Sequence, residues 1–190
     1  MIIISYRYHK KFEDAKYAYN RNCYYRLESI EIKTEQMITE LEITTKSNNI
    51  SKEDLLKLKY LESSISTEIT YLDFELHDFQ WKINKVDKVT PSIGMENMII
   101  YYYFDYIEKQ YADGSYINVK KEADSLNTIL SYYVNMKKVV YDNSDSINFE
   151  QNFKPDILEK DYWIQMVSRL NEFQQDFNIK NKEKILVNLK

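Results

Sequence analysis

LKYLESSISTEITYLDFELHDFQWKINKV, residues 58–86, is the stretch whose reading decides the fold. Leu58, Glu62, Ile65, Ile69, Leu72, Leu76, Phe79, Ile83 and Val86 recur at alternating steps of three and four, and eight of these nine are apolar. That spacing returns a side chain to the same helix face on each turn, and sustained over four repeats it is the seam of a coiled coil. Upstream, Leu27, Ile30, Thr34, Met37, Leu41 and Thr44 keep the same steps. Residues 1–90 contain neither glycine nor proline, and the one turn-like place is Ser47-Asn48-Asn49. After it, Ser51 is placed to cap a new helix and Asp54 to favour its positive end. The reading is a helix over about 5–46, a second over about 51–89, and a short connection that turns them antiparallel. Folding at Asn48–Asn49 sets Leu41 near Leu58 and Leu27 near Leu72.

The second helix carries another face. Tyr60, Phe74 and Trp81 share a register almost opposite the seam, with Tyr71 and Leu61 alongside. A helix in a two-helix hairpin needs one apolar face. The surplus is expected to be covered by the C-terminal half of the chain or by another subunit.

Beyond residue 90, Thr90-Pro91-Ser92 ends the second helix, because proline cannot continue it and biases its predecessor away from it. A third helix is expected over about 95–112, stopped by Asp113-Gly114, and a fourth over about 119–141 with Ala123, Leu126, Ile129, Leu130, Tyr133 and Val140 inward. A long polar loop follows from Asp142 to Lys154. A fifth helix starts near Pro155 and runs through Trp163, Val167, Leu170 and Phe173, and a short helix closes the chain at about 181–188. Tyr116-Ile117 reads as a short extended piece that could pair with Ile2–Ile4. The expected fold is therefore all-α: a long antiparallel, coiled-coil-like helical hairpin (1–90) packed as one domain with three or more shorter C-terminal helices (91–190).

Composition narrows the function. Two glycines and two prolines in 190 residues leave no clustered glycines for a phosphate-binding loop, so P-loop and Rossmann sites are excluded. One cysteine, Cys23, and two histidines, His9 and His77, cannot form a Cys/His zinc site, and neither histidine has a Glu three positions before it as a di-iron helix requires. Residues 142–153 lack the central Gly and terminal Glu of an EF-hand. No metal, cofactor or catalytic residue is expected. Cys23 comes level with about Leu76 in the hairpin, next to His77, but a small buried thiol is the simpler reading than an activated nucleophile. Tyr101-Tyr102-Tyr103-Phe104 resembles a base-stacking platform in composition, yet its neighbours Asp105 and Glu108 are acidic, which favours core packing.

A single cysteine rules out an intrachain disulfide, Met1-Ile2-Ile3-Ile4 is too short for a signal h-region, and no apolar run approaches the roughly 20 residues of a membrane span. The expected location is the cytoplasm, or a virion assembled there. Abundant Lys, Ile, Asn and Tyr point to an AT-rich genome, such as those of many bacteria, phages and large viruses. The net charge is −4, unevenly spread: residues 1–30 hold six Lys/Arg against three acids, and residues 142–161 six acids against two Lys. Arg7, Lys10, Lys11, Arg21 and Arg26, interleaved with tyrosines, read first as a solvated helix face; as the best binding candidate in the chain they suit an acidic protein surface, with nucleic acid ranked below. Residues 117–136 also read loosely as a helix-turn-helix with Asn127 at the turn, against one uninterrupted amphipathic helix. Together these features favour a non-enzymatic structural or adaptor protein, a homo-oligomer or partner-docking module with Tyr60, Tyr71, Phe74 and Trp81 at its interface. A phage or virus connector is one specific form of it, and a nucleic-acid-binding regulator is the alternative.

Overall fold

In a computed structural model the described residues are 2–47, 49–79, 98–110, 117–144 and 162–186, with side chains over 8–47, 49–75, 99–110, 117–140 and 166–185. Among them the chain is all-α apart from one two-residue strand pair. The helices are α1 (Ile2–Lys46), α2 (Lys52–Phe79), α3 (Met98–Gln110), α4 (Val119–Ser144) and α5 (Tyr162–Leu186). The expected helix over 80–89, the Pro91 break, the Asp113-Gly114 stop, most of the Asp142–Lys154 loop and the Pro155 start lie outside the described residues.

α1 runs 45 residues because nothing in it interrupts the backbone ladder. It ends where the Ser47 hydroxyl lies 2.8 Å from the Thr44 carbonyl, within reach to donate to an acceptor that the last turn leaves open. α2 opens on a reciprocal cap: Asp54 N–H donates to Ser51 Oγ at 3.1 Å, and Ser51 N–H donates to Asp54 Oδ2 at 3.2 Å. Across the two helices, Arg26 meets Glu75 at 2.8 Å, Lys33 meets Glu68 at 2.9 Å and Glu40 meets Lys57 at 2.5 Å. Partner numbers fall on α2 as they rise on α1, so the helices lie antiparallel along this stretch.

The positions spaced three and four apart turn inward. Leu27, Ile30, Thr34, Met37, Leu41 and Thr44 of α1 are buried, as are Leu58, Glu62, Ile65, Ile69 and Leu72 of α2. The remaining helices pack onto this pair. Lys59 of α2 donates to Asp105 and Glu108 of α3 at 2.7 and 2.8 Å. Lys137 of α4 binds Glu35 of α1, and α5 lies against α4 while touching α2 and α3. The core continues through Ile99, Ile100, Tyr103, Phe104 and Ile107 of α3, Leu126, Ile129, Tyr132, Tyr133 and Met136 of α4, and Met166, Leu170 and Ile185 of α5. No helix among the described residues is long and apolar enough to cross a membrane.

Three expectations are corrected. Ile117 does not pair with Ile2–Ile4, which are helical; Ile117–Asn118 pairs antiparallel with Asn49–Ile50, burying Ile50 and Ile117 together under the α1–α2 turn. The helix-turn-helix is absent: α4 passes through Asn127, an exposed mid-helix residue, without a break. Residues 181–186 form no separate helix, because α5 is continuous to Leu186, with Asn181 donating from its side chain to the Phe177 carbonyl one turn back at 3.0 Å; the rest of the expected 181–188 helix lies outside the described residues. Leu61, grouped with the second face of α2, is covered within the chain, one of the two covers expected for that face, since one residue past Tyr60 turns 100° toward the core.

Candidate functional site

Two features stand apart from ordinary packing. The first is the outer face of the α1–α2 pair. On α2, Leu56, Tyr60, Tyr71 and Phe74 fall three or four residues apart, or at multiples of that spacing, opposite the buried seam, and are 45, 70, 49 and 60 % exposed. α1 presents a matching outer stripe in which Tyr17, Tyr25, Ile32 and Ile43 are exposed. Single exposed apolar side chains are normal on a protein surface, but lines of them on two adjacent helices are not. Trp81, expected to extend the α2 line, lies outside the described residues.

The basic group divides. Lys10, Lys11 and Arg21 are exposed on α1, and the Arg7 side chain lies outside the described residues. Arg26 does not belong with them. Its guanidinium bridges Glu68 at 3.0 Å and Glu75 at 2.8 Å and stacks 4.6 Å from the Tyr71 ring centroid. Burial lowers the Arg26 pKa, but the hydrogen bonds and charges of the two carboxylates outweigh it and raise it. Glu68 is lowered for the complementary reason: burial raises it, and Lys33, Ser29 and Arg26 more than reverse that. The network locks α1 to α2 and leaves Arg26 committed inside the chain. Sequence alone could not separate it from Arg21, because the distinction depends on which α2 residues come level with it.

The second feature is a buried acid. Glu62, the one polar member of the α2 seam series, is buried and accepts the Tyr133 hydroxyl of α4. Burial pushes its carboxyl up to about 8, so at neutral pH the group is mostly protonated. Beside it the Tyr132 hydroxyl is raised too, by burial first and by the Glu62 charge second, although a hydrogen bond from Gln174 of α5 opposes both. The Tyr132 ring stacks on Phe173 at 5.2 Å and meets Phe177 at 4.5 Å. This layer joins α2, α4 and α5 through one proton-bearing carboxyl. It is sealed by aromatic rings and has the character of a structural layer. The lone polar position in the seam was its only sequence signal.

Cys23 sits in the core at 1 % exposure. Its thiol is raised by burial, then by the Glu75 carboxylate, which is the reverse of nucleophile activation. The His77 side chain lies outside the described residues. The native protein is therefore expected to react with a thiol reagent at least about 100-fold more slowly than the same chain in urea, because reaction waits on opening of the core. Fast native labelling would place Cys23 at the surface. In the tyrosine run, Tyr103 and Phe104 are buried and the Tyr103 hydroxyl donates to Glu122 at 2.9 Å, so these two serve the core, while Tyr101 is half-buried beneath Lys59 and Tyr102 is exposed.

Comparison with protein-family models, with curated proteins and with solved structures finds no match.

Proposed function

We propose that the protein is a non-enzymatic structural or adaptor component that works by docking the outer face of α1 and α2 onto another protein surface. The observation that carries this reading is the line of exposed Leu56, Tyr60, Tyr71 and Phe74 on the side of α2 that faces away from its own core. Tyrosine and phenylalanine bring large apolar area at little conformational cost and dominate protein interfaces where they become buried. The suppressed Cys23 thiol and the sealed Glu62 layer lend no support to an enzymatic alternative.

A Tyr60→Ser, Phe74→Ser double variant tests the reading. Both side chains are largely exposed, so the melting temperature is expected to stay near that of the wild type. If both become buried on docking, each contributes on the order of 1.5–3 kcal/mol, and the variant is expected to bind or assemble at least about 100-fold more weakly. The reading fails if the wild-type protein stays monomeric at high concentration and binds nothing, or if the double variant associates as tightly as the wild type.

A further inference from the structure

We propose that the occupant of this outer face is a second copy of the chain, laid antiparallel about a two-fold axis near Tyr25. The inference rests on the docking reading above and adds the partner's identity and orientation.

The distribution of charge along α1 carries it. Residues 7–26 hold Arg7, Lys10, Lys11, Lys16, Arg21 and Arg26 against Glu13 and Asp14, six against two, or +4. Residues 28–42 hold Glu28, Glu31, Glu35, Glu40 and Glu42 against Lys33, five against one, or −4. On the exposed side the division is as sharp. Lys10, Lys11 and Arg21 accompany Asp14 before Tyr25, whereas Glu28, Glu35 and Glu42, seven residues apart, follow it with no exposed base before Lys46. One continuous helix thus presents a positive half and a negative half that meet at an exposed tyrosine.

Such a stripe complements itself. A two-fold contact places the same patch on both sides, so every charge must find its partner within its own sequence. With the axis near Tyr25, Arg21 of one copy falls against Glu28 of the other, the Tyr17 turn against the Ile32 turn, and Lys10–Lys11 between Glu35 and Glu42, while Asp14 comes level with Glu35, whose charge Lys137 already offsets within the chain. A parallel pairing sets like charge on like charge along the same length and is disfavoured. Glu35 and Glu42 already have partners within the chain in Lys137 and Lys46, so the Arg21–Glu28 pair carries most of the orientation.

The axis also passes through an aromatic cluster at one end of the face, with Leu56 and Tyr60 farther along, near the Glu40–Lys57 level. Because Arg26 is bonded to Glu75 and stacked on Tyr71, the exposed rings of Tyr25, Tyr71 and Phe74 lie at one level on adjacent helices. An aromatic cluster ringed by charged pairs is the usual anatomy of a specific interface. The two-fold places this cluster against its own copy.

Sedimentation of the full chain with two surface variants, Arg21→Glu and Glu28→Lys, tests the proposal. The wild type is expected to dimerise, more weakly as salt is added. Each variant alone sets two like-charge contacts across the axis and is expected to dimerise on the order of 100-fold more weakly, with an unchanged melting temperature. Mixing the two variants re-forms both opposite-charge contacts and is expected to give a heterodimer within about 10-fold of wild-type affinity. Variants that dimerise like the wild type, or a mixture that stays monomeric, overturn the proposal. A monomeric wild type that captures a different protein in a Tyr60- and Phe74-dependent manner also overturns it while sparing the docking reading. A monomer that binds nothing removes both.

Discussion

Replacing Glu62 with glutamine is expected to make the protein markedly more stable at pH 8 while changing little at pH 4.5. The Glu62 carboxyl is buried and pushed up to about 8, against an ordinary value of 4.5. Between those values the folded chain keeps a proton that the unfolded chain has lost. The favourable contribution of the protonated group is fully present below pH 4.5 and is lost as pH rises toward 8. At roughly 1.4 kcal/mol per pH unit, the loss across the window approaches roughly 5 kcal/mol as an upper scale. Glutamine keeps a carbonyl to accept the Tyr133 hydroxyl and cannot ionise, so the difference between variant and wild type isolates this one group from the other titrating carboxylates. Urea unfolding of both proteins at intervals from pH 4.5 to 8 measures it. A gap between the two curves that fails to widen with pH would show that the carboxyl is hydrated in the folded state.

Leu72→Ala is expected to cost about 3 kcal/mol, whereas Phe74→Ala, two residues away, should change stability by less than about 0.5 kcal/mol. Leu72 is fully buried, so shortening it loses transfer energy and opens a cavity. Phe74 is 60 % exposed on the opposite side of the same helix. For a chain of this length the first change corresponds to a fall in Tm of roughly 6–12 °C, and the second to a shift near the limit of measurement. Calorimetry on dilute protein, where association does not contribute, decides between the faces. If Phe74→Ala proved the costlier substitution, the inner and outer faces of α2 would be reversed.

Much of the architecture was legible because it is local. The three-and-four spacing selected the buried positions of α1 and α2, and Ser51 with Asp54 marked the start of α2. The same geometry set Tyr60, Tyr71 and Phe74 opposite the seam, but not whether the C-terminal helices would cover them; α3 packs beside Lys59 and leaves all three exposed. What escaped depends on residues far apart in the chain. Arg26 and Arg21 look alike until Glu68 and Glu75 come level with the former. Glu62 stood out as the odd member of its series, but its protonation rests on Tyr133, 71 positions away, and on the enclosing core. Tyr132 was not among the inward residues expected of α4, because tyrosine suits a wet rim as well as a core; the rings of Phe173 and Phe177 decide it. Asn178 and Asn181 lower helix propensity without stopping a helix, so α5 runs on where a break was expected.

The bond between Asn49–Ile50 and Ile117–Asn118 has a consequence for the order of assembly. Every other tie between α1 and α2 joins residues synthesised within the first half of the chain, and these can zip together as soon as α2 has emerged. The bend at the far end of that zipper has to wait for a strand made some 67 residues later. A nascent chain whose rods pair early is therefore expected to pass through an interval in which their tip is unlatched, and an insertion at 47–50, harmless to a free bend, is expected to strike the latch.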